Sequence, residues 1–256
     1  MFRWLFFFIF LTCNVALNSQ VDNARSRFYV GGGGAAQLAL ILNQNNYGFA
    51  ELAYDAKIGF QAGPKIGFEW NNYNQVESGI IWTTLGQRYE DNIRNILNEK
   101  VVELQYVYFP VLYKRILGYL DHWSSNVKTG NFYIGAGLQA GRLLSANVTW
   151  KKDGQSLTML DYLLEEGVNI NEEQLLALGN PVNDQELFQK FDLMGLGVFG
   201  YQRWIGTFTT VSLEMRNGLG LTDNNSKAWR LPNRKEIYEP SRNAFTSLFL
   251  AVQVFF

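Results

Sequence analysis

The sequence predicts an all-β fold: an eight-stranded antiparallel transmembrane up-and-down β-barrel, with short helices in its long third outer loop. Three observations predict it. The segment Ala244 to Phe256, AFTSLFLAVQVFF, puts Thr246, Leu248, Leu250, Val252, Val254 and Phe256 on one face and Ser247, Ala251 and Gln253 on the other. Lys57 to Trp70 alternates in the same way, with Ile58, Phe60, Ala62, Pro64, Ile66, Phe68 and Trp70 opposite a face of Lys, Gly, Gln and Glu. An outer face that is apolar along its whole length needs lipid beside it, and a polar or glycine inner face suits a narrow lumen that must not be overfilled. The third observation is compositional. Aromatics at 15% with 24 Gly and only 5 Pro suit strands, while a mean hydropathy of −0.11 and no later apolar run of about 18 residues argue against membrane-spanning helices.

Residues 1–19 read as a signal peptide and 20–256 as one outer-membrane barrel domain. Arg3 precedes an apolar run from Trp4 to Leu11, and small or polar residues follow to a cleavage point near Ser19. The sole cysteine, Cys13, lies in this leader, and Phe10, Leu11 and Thr12 before it make a poor lipobox. Cleavage removes it, so the mature chain has neither disulfides nor thiolate metal sites. Loss of Arg3 leaves 21 basic residues against 23 acidic ones, a balance that gives no nucleic-acid footprint.

The strands follow in order. Phe28 to Leu42 is the first, with Gly31 and Gly33 facing in beside Tyr29 and Gln37; its four glycines precede no Lys-Ser/Thr pair, so a phosphate cradle is not indicated. Lys57 to Trp70 is the second and Val76 to Tyr89 the third. In the fourth, Val102 to Lys114, we expect Leu104, Tyr106, Tyr108 and Leu112 outward and Glu103 and Gln105 inward. The fifth, Asn131 to Ala146, turns Phe132, Ile134, Ala136 and Leu138 out and Tyr133, Gly135, Gly137, Gln139 and Gly141 in. For the sixth, Asp192 to Trp204, the expected inner face is Gly195, Gly197, Phe199, Tyr201 and Arg203. The seventh, Phe208 to Leu221, has Glu214 and Arg216 inside, and the last strand completes the set. Odd connections are longer than even ones, as an N-terminus in the periplasm requires, except that the second turn, Ile116 to Gly130, is long. In the third outer loop, Leu157, Leu160, Leu163 and Leu164 recur at helical spacing, and Asn171 with Gln174 has capping-box spacing before Leu175, Leu176 and Leu178.

These segments resemble a family. Tyr106 to Lys114 (YVYFPVLYK) and Phe132 to Gly141 (FYIGAGLQAG) are similar to consecutive strands of the PorT-like outer-membrane β-barrel proteins of Bacteroidetes. Phe191 to Gly200 (FDLMGLGVFG), Gly218 to Thr222 (GLGLT) and the terminal strand continue the match in the same order. The resemblance implies an eight-stranded barrel in a Gram-negative cell envelope. It implies a link to protein secretion for the founding member only, and it carries over no catalytic residue.

The remaining candidates are structural or binding residues. Lys57, Lys65, Glu69, Glu77, Glu103, Glu214 and Arg216 take the inward phase and form an expected polar network in the lumen, where paired charges plug a barrel of this size. Trp70, Tyr73 and Trp204 at the periplasmic boundary, with Tyr89 and Trp150 at the outer one, form the expected aromatic girdle. Val252, Val254 and Phe256 read as the signal handed to the barrel-assembly machinery. His122, flanked by Asp121, Ser124 and Ser125, falls in a turn; adjacent residues do not make a triad, and one histidine cannot hold a transition metal. No catalytic, cofactor or metal residue is therefore assigned. The expectation is a non-enzymatic outer-membrane barrel that contacts lipid and lipopolysaccharide and acts in binding or in an envelope complex, possible accessory work in secretion included. A small channel for ions or solutes is the alternative, and a lipid-active barrel enzyme a third.

Overall fold

The computed structural model describes residues 26–42, 53–71, 73–93, 96–121, 128–152, 154–157, 184–227, 230 and 238–256. The expected signal peptide, His122 and most of the third-loop segment expected to be helical lie outside these residues.

The chain forms one antiparallel sheet that closes on itself. Its strands are β1 (Arg27–Leu42), β2 (Ala53–Trp70), β3 (Asn74–Gly79), β4 (Ile81–Ile93), β5 (Ile96–Asp121), β6 (Lys128–Lys152), β7 (Gln155–Leu157), β8 (Phe191–Trp204), β9 (Thr209–Gly220) and β10 (Arg242–Phe255). β1 pairs with both β2 and β10, so no edge remains between the first and last strands. β3 and β4 each pair with β2 and β5 and occupy one position in the ring, broken at Ile80; β7 only extends the hairpin that follows β6. The ring therefore has eight positions. Its outer surface is a belt of exposed apolar side chains from every part of the circumference, among them Phe60, Phe109, Ile134, Phe199, Leu213 and Leu250, while inward residues such as Tyr29, Glu77 and Ser212 are buried. That polarity is the reverse of a soluble protein's and is the pattern of a transmembrane barrel.

Two strand phases differ from the sequence expectation. In β5, Leu104, Tyr106, Tyr108 and Leu112 are fully buried inside, whereas Phe109, Val111 and Tyr113 face out. In β8, Met194, Leu196 and Val198 are inside and Gly195, Gly197, Phe199, Tyr201 and Arg203 take the outward phase. Large side chains occupy both faces of β5, so alternation alone assigns no phase. The inner face of β6 decides it. Gly141 lies between Tyr108 and Asp192, Gly137 between Leu112 and Leu196, and Gly135 between Lys114 and Val198. A Cβ at Gly141 would stand 2.3 Å from the Tyr108 ring, and one at Gly200 would stand 2.4 Å from the Tyr133 ring. Glycines inside β6 and β8 thus make room for bulky neighbours to fill the lumen.

The connections also differ. β5 and β6 pair, with three register shifts, from Asn98–Lys152 to Asp121–Lys128, so most of the expected second turn, Ile116 to Gly130, is strand, and the expected loop from Glu90 to Val101 is strand with only 94–95 between β4 and β5. The barrel consequently has a tall wall, β4 to β6, and a short wall, β8 to β10. Beyond its last pair with β8 at Arg142–Phe191, β6 continues for residues 143–152. A 3₁₀ turn at Asp184–Leu187 covers part of this exposed edge: the Val148 amide donates to Asp184 Oδ2 at 2.7 Å, and Gln185 Nε2 donates to the Leu144 carbonyl at 2.9 Å. Where the sequence predicts helices, the described flanks of the third outer loop are β7 and this turn, with Leu157 in the strand.

Candidate functional site

The middle of the lumen is a closed ionic cluster. Strand alternation sends Lys65 of β2, Glu77 of β3, Lys114 of β5 and Glu214 and Arg216 of β9 into the same space, and each is at most 3% exposed. Lys65 Nζ lies 3.1 Å from both Glu77 and Glu214, and Lys114 Nζ lies 2.8 Å from Glu77 and 2.9 Å from Glu214. Arg216 forks between them, at 2.5 Å from Glu214 and 3.3 Å from Glu77. Tyr133 donates to Glu214 at 2.9 Å, Tyr29 to Glu77 at 3.1 Å and Gln253 to Glu77 at 3.4 Å. The third cation is partly offset by aromatic faces: the Arg216 guanidinium lies 3.8 Å from the Phe249 ring centroid and Lys114 Nζ 5.2 Å from that of Tyr133. Charges withdrawn from water are tolerated only when paired and hydrogen-bonded as densely as this.

Below the cluster, at the end carrying the short turns, Arg27 bonds Glu69 at 2.6 Å and Gln75 donates to the other Glu69 oxygen at 2.7 Å. Arg27 also lies over the rings of Trp204 and Phe255, which are 4.9 Å apart. At the opposite end, Leu187 and Phe188 descend from the third loop into an apolar cluster with Leu85, Val102, Leu104, Tyr106, Leu143 and Met194. The fourth loop holds this plug by backbone bonds: Ser226 N to Leu187 O at 3.0 Å and Gln189 N to Asn224 O at 2.7 Å. Tyr238 braces the same loop by donating to Asp223 at 2.6 Å; partial burial and this bond push its hydroxyl up to about 12.

Of the residues proposed from sequence, the structure brings Lys65, Glu77, Glu214 and Arg216 together and sets Glu69 nearer the turn end. Glu103 is a correction. Its strand phase is outward, its side chain is 40% exposed, and it pairs with Lys57 away from the central cluster, at a β2–β4 register shift between Ala56 and Gln61. Among the aromatics, Trp70 and Tyr73 stay at the outer turn-end rim, Trp70 lying 6.2 Å from Tyr113. Tyr89 is instead buried inside beside Lys100, and Trp204 shares the inward phase of Gln202 and covers the lumen's turn-end mouth; the Trp150 side chain is outside the described set. Val252, Val254 and Phe256 all face outward. Lys114, Tyr29, Tyr133 and Phe249 were missed as members of the cluster. The glycine rows of β6 held the signal for Lys114, since they put Leu112, and with it Lys114, inside.

No family model matches the chain, so the PorT-like resemblance rests on the sequence motifs alone, and no curated protein matches either. Solved structures do align over most of its length. They include Neisserial surface protein A (12% identity, TM-score 0.42, 89% of this chain and 96% of that one), the outer membrane protein OprG from Pseudomonas aeruginosa (7%, 0.39, 91% and 97%) and the outer membrane protease OmpT from Escherichia coli (10%, 0.38, 93% and 99%).

Proposed function

We propose that this chain is an outer-membrane barrel without enzymatic activity, closed to solutes, that works by binding through the structures raised above its loop end. The single observation that carries this reading is the central ionic cluster: five charged side chains contributed by four strands fill the lumen at its middle, and both of its carboxylates, Glu77 and Glu214, are paired with cations. The apolar belt supports an integral position in lipid. The tall wall supports binding, because β4 to β6 lift a charged surface with Arg88 paired to Glu90 and Glu99 beyond the short wall. Membership of an envelope complex, with accessory work in secretion as its specific form, draws its support from the PorT-like motifs.

Two measurements test the reading together. In fractionated Gram-negative cells the protein is expected in the outer membrane as a heat-modifiable band, and the purified wild type is expected to give no steady conductance in planar bilayers. A stable open pore whose selectivity changes in Lys65→Met would replace binding with transport.

A further inference from the structure

We infer that the outward face of β8 to β10 is a self-association surface, through which two copies of this chain pair side by side within the membrane. At its centre a polar pair interrupts the apolar belt. Asn217 and Thr246 are directly opposed on β9 and β10, both are exposed on the outer surface, and Thr246 Oγ1 donates to Asn217 Oδ1 at 2.8 Å. Apolar side chains flank them. Exposed Met215 precedes Asn217 on the same face of β9, exposed Leu219 and Leu221 follow it, and exposed Leu248 adjoins Thr246. Hydrocarbon offers an amide no partner, and among the described residues no group accepts a hydrogen bond from Asn217 Nδ2. The inference rests on the integral position in lipid proposed above.

Two glycines beside this pair answer to nothing inside the barrel. Gly197 lies opposite Asn217, and Gly195 opposite Leu219, both in the outward phase of β8. Gly200 makes room for the Tyr133 ring, but a Cβ at Gly197 would meet nothing within 4 Å, and one at Gly195 only the Leu219 carbonyl oxygen at 3.9 Å. Neither has a positive φ. Glycine weakens a strand, and where neither packing nor backbone conformation requires it, close approach by another backbone does. Ala136, opposite Gly197, and Ala244, opposite Leu219, carry the low ground to either side. A second copy fits this face because the amide complements itself. Two chains inserted in the same direction are related by a two-fold axis along the membrane normal, so each brings Asn217 to the depth of its counterpart. A carboxamide holds donor and acceptor together. Nδ2 of each copy donates to Oδ1 of the other, whose second lone pair Thr246 leaves free, and the small residues let the two walls approach.

The test is disulfide trapping in outer membranes of Gram-negative cells that make the full chain with Cys13→Ser. One cysteine is added as Leu219→Cys beside the pair or, as the control, as Val111→Cys across the ring, where the side chain is equally exposed to lipid. Oxidation should give a disulfide-linked dimer with Leu219→Cys and none with Val111→Cys. Adding Asn217→Leu removes two reciprocal hydrogen bonds and should cut dimer formation about ten-fold. Gly197→Leu fills the low ground and should abolish it, while the heat-modifiable band of a folded barrel persists in both variants. Should either variant fail to insert, the contrast between Leu219→Cys and Val111→Cys decides the matter. A folded barrel that gives equal dimer at the two positions, or none at either, would overturn the interface alone and leave lipid covering this face. Dimer unchanged by both Asn217→Leu and Gly197→Leu would overturn it as well. Absence of any heat-modifiable band from the outer membrane would overturn the position in lipid, and the interface with it.

Discussion

In the middle of the lumen, Lys65, Lys114 and Arg216 surround Glu77 and Glu214; at the loop end, Leu187 and Phe188 lie among Leu85, Val102, Leu104 and Met194. The first arrangement is built by four strands of the closed ring, so it cannot open without separating charges that water does not reach. The second is delivered by one short turn, held by two backbone bonds to the fourth loop and by Asp184 and Gln185 to the edge of β6, none of them part of the pairing that closes the ring, so we expect it to loosen while the barrel stays intact. The comparison teaches that the same lumen has a seal tied to global stability and a plug tied to local stability.

The largest expected effect lies in the first region. Glu214→Leu leaves three buried cations facing one carboxylate and should lower the unfolding free energy by about 3–5 kcal/mol, read by urea titration in micelles. A wild-type midpoint in this variant would remove the ionic cluster's place in stability. Phe188→Ala should cost about 3 kcal/mol, but locally. Its signature is faster hydrogen exchange at residues 185–189 and 224–226 with little change at β2 and β9. Uniform acceleration across all strands would erase the distinction between seal and plug.

A third pair of variants sharpens the side-chain phase on which both regions depend. Gly200→Ala places a methyl 2.4 Å from Tyr133 Cζ and should cost about 1–3 kcal/mol, whereas Gly197 has nothing within 4 Å and its alanine variant should stay within about 0.5 kcal/mol of wild type. The opposite order in unfolding measurements would return β8 to the phase first expected. The smallest effect belongs to Lys57→Met. Its partner Glu103 is 40% exposed, and loss of a half-solvated pair should change stability by less than about 1 kcal/mol in the same titration.

Strands with one polar and one apolar face were legible from sequence. The period of 2 in β2 placed Ile58 and Phe60 outside and Lys65 inside, and in β9 it separated Leu213 and Met215 from Glu214 and Arg216. β5 and β8 were misread for one physical reason. A barrel interior need not be polar, and where Gly135, Gly137 and Gly141 vacate space, Leu112, Tyr108, Leu196 and Val198 fill it. That complementarity is a property of register between strands, which periodicity within one strand does not contain. The candidate site was legible in its acids, Glu77 and Glu214, and in two of its three cations, Lys65 and Arg216, but not in Lys114, which belongs to the misread strand. The plug left no pattern to read: Leu187 and Phe188 sit in a long connection and gain meaning only from the cavity they enter.

Conductance of the Leu187→Ala/Phe188→Ala double variant in planar bilayers tests the central claim most directly. With the loop-end plug cut back and the charged cluster intact, the lumen should remain shut, with no steady current in either polarity. A stable, ohmic pore in this variant would contradict the account, for it would show that the apolar plug alone separates the two sides and that the five charges line a path instead of blocking one.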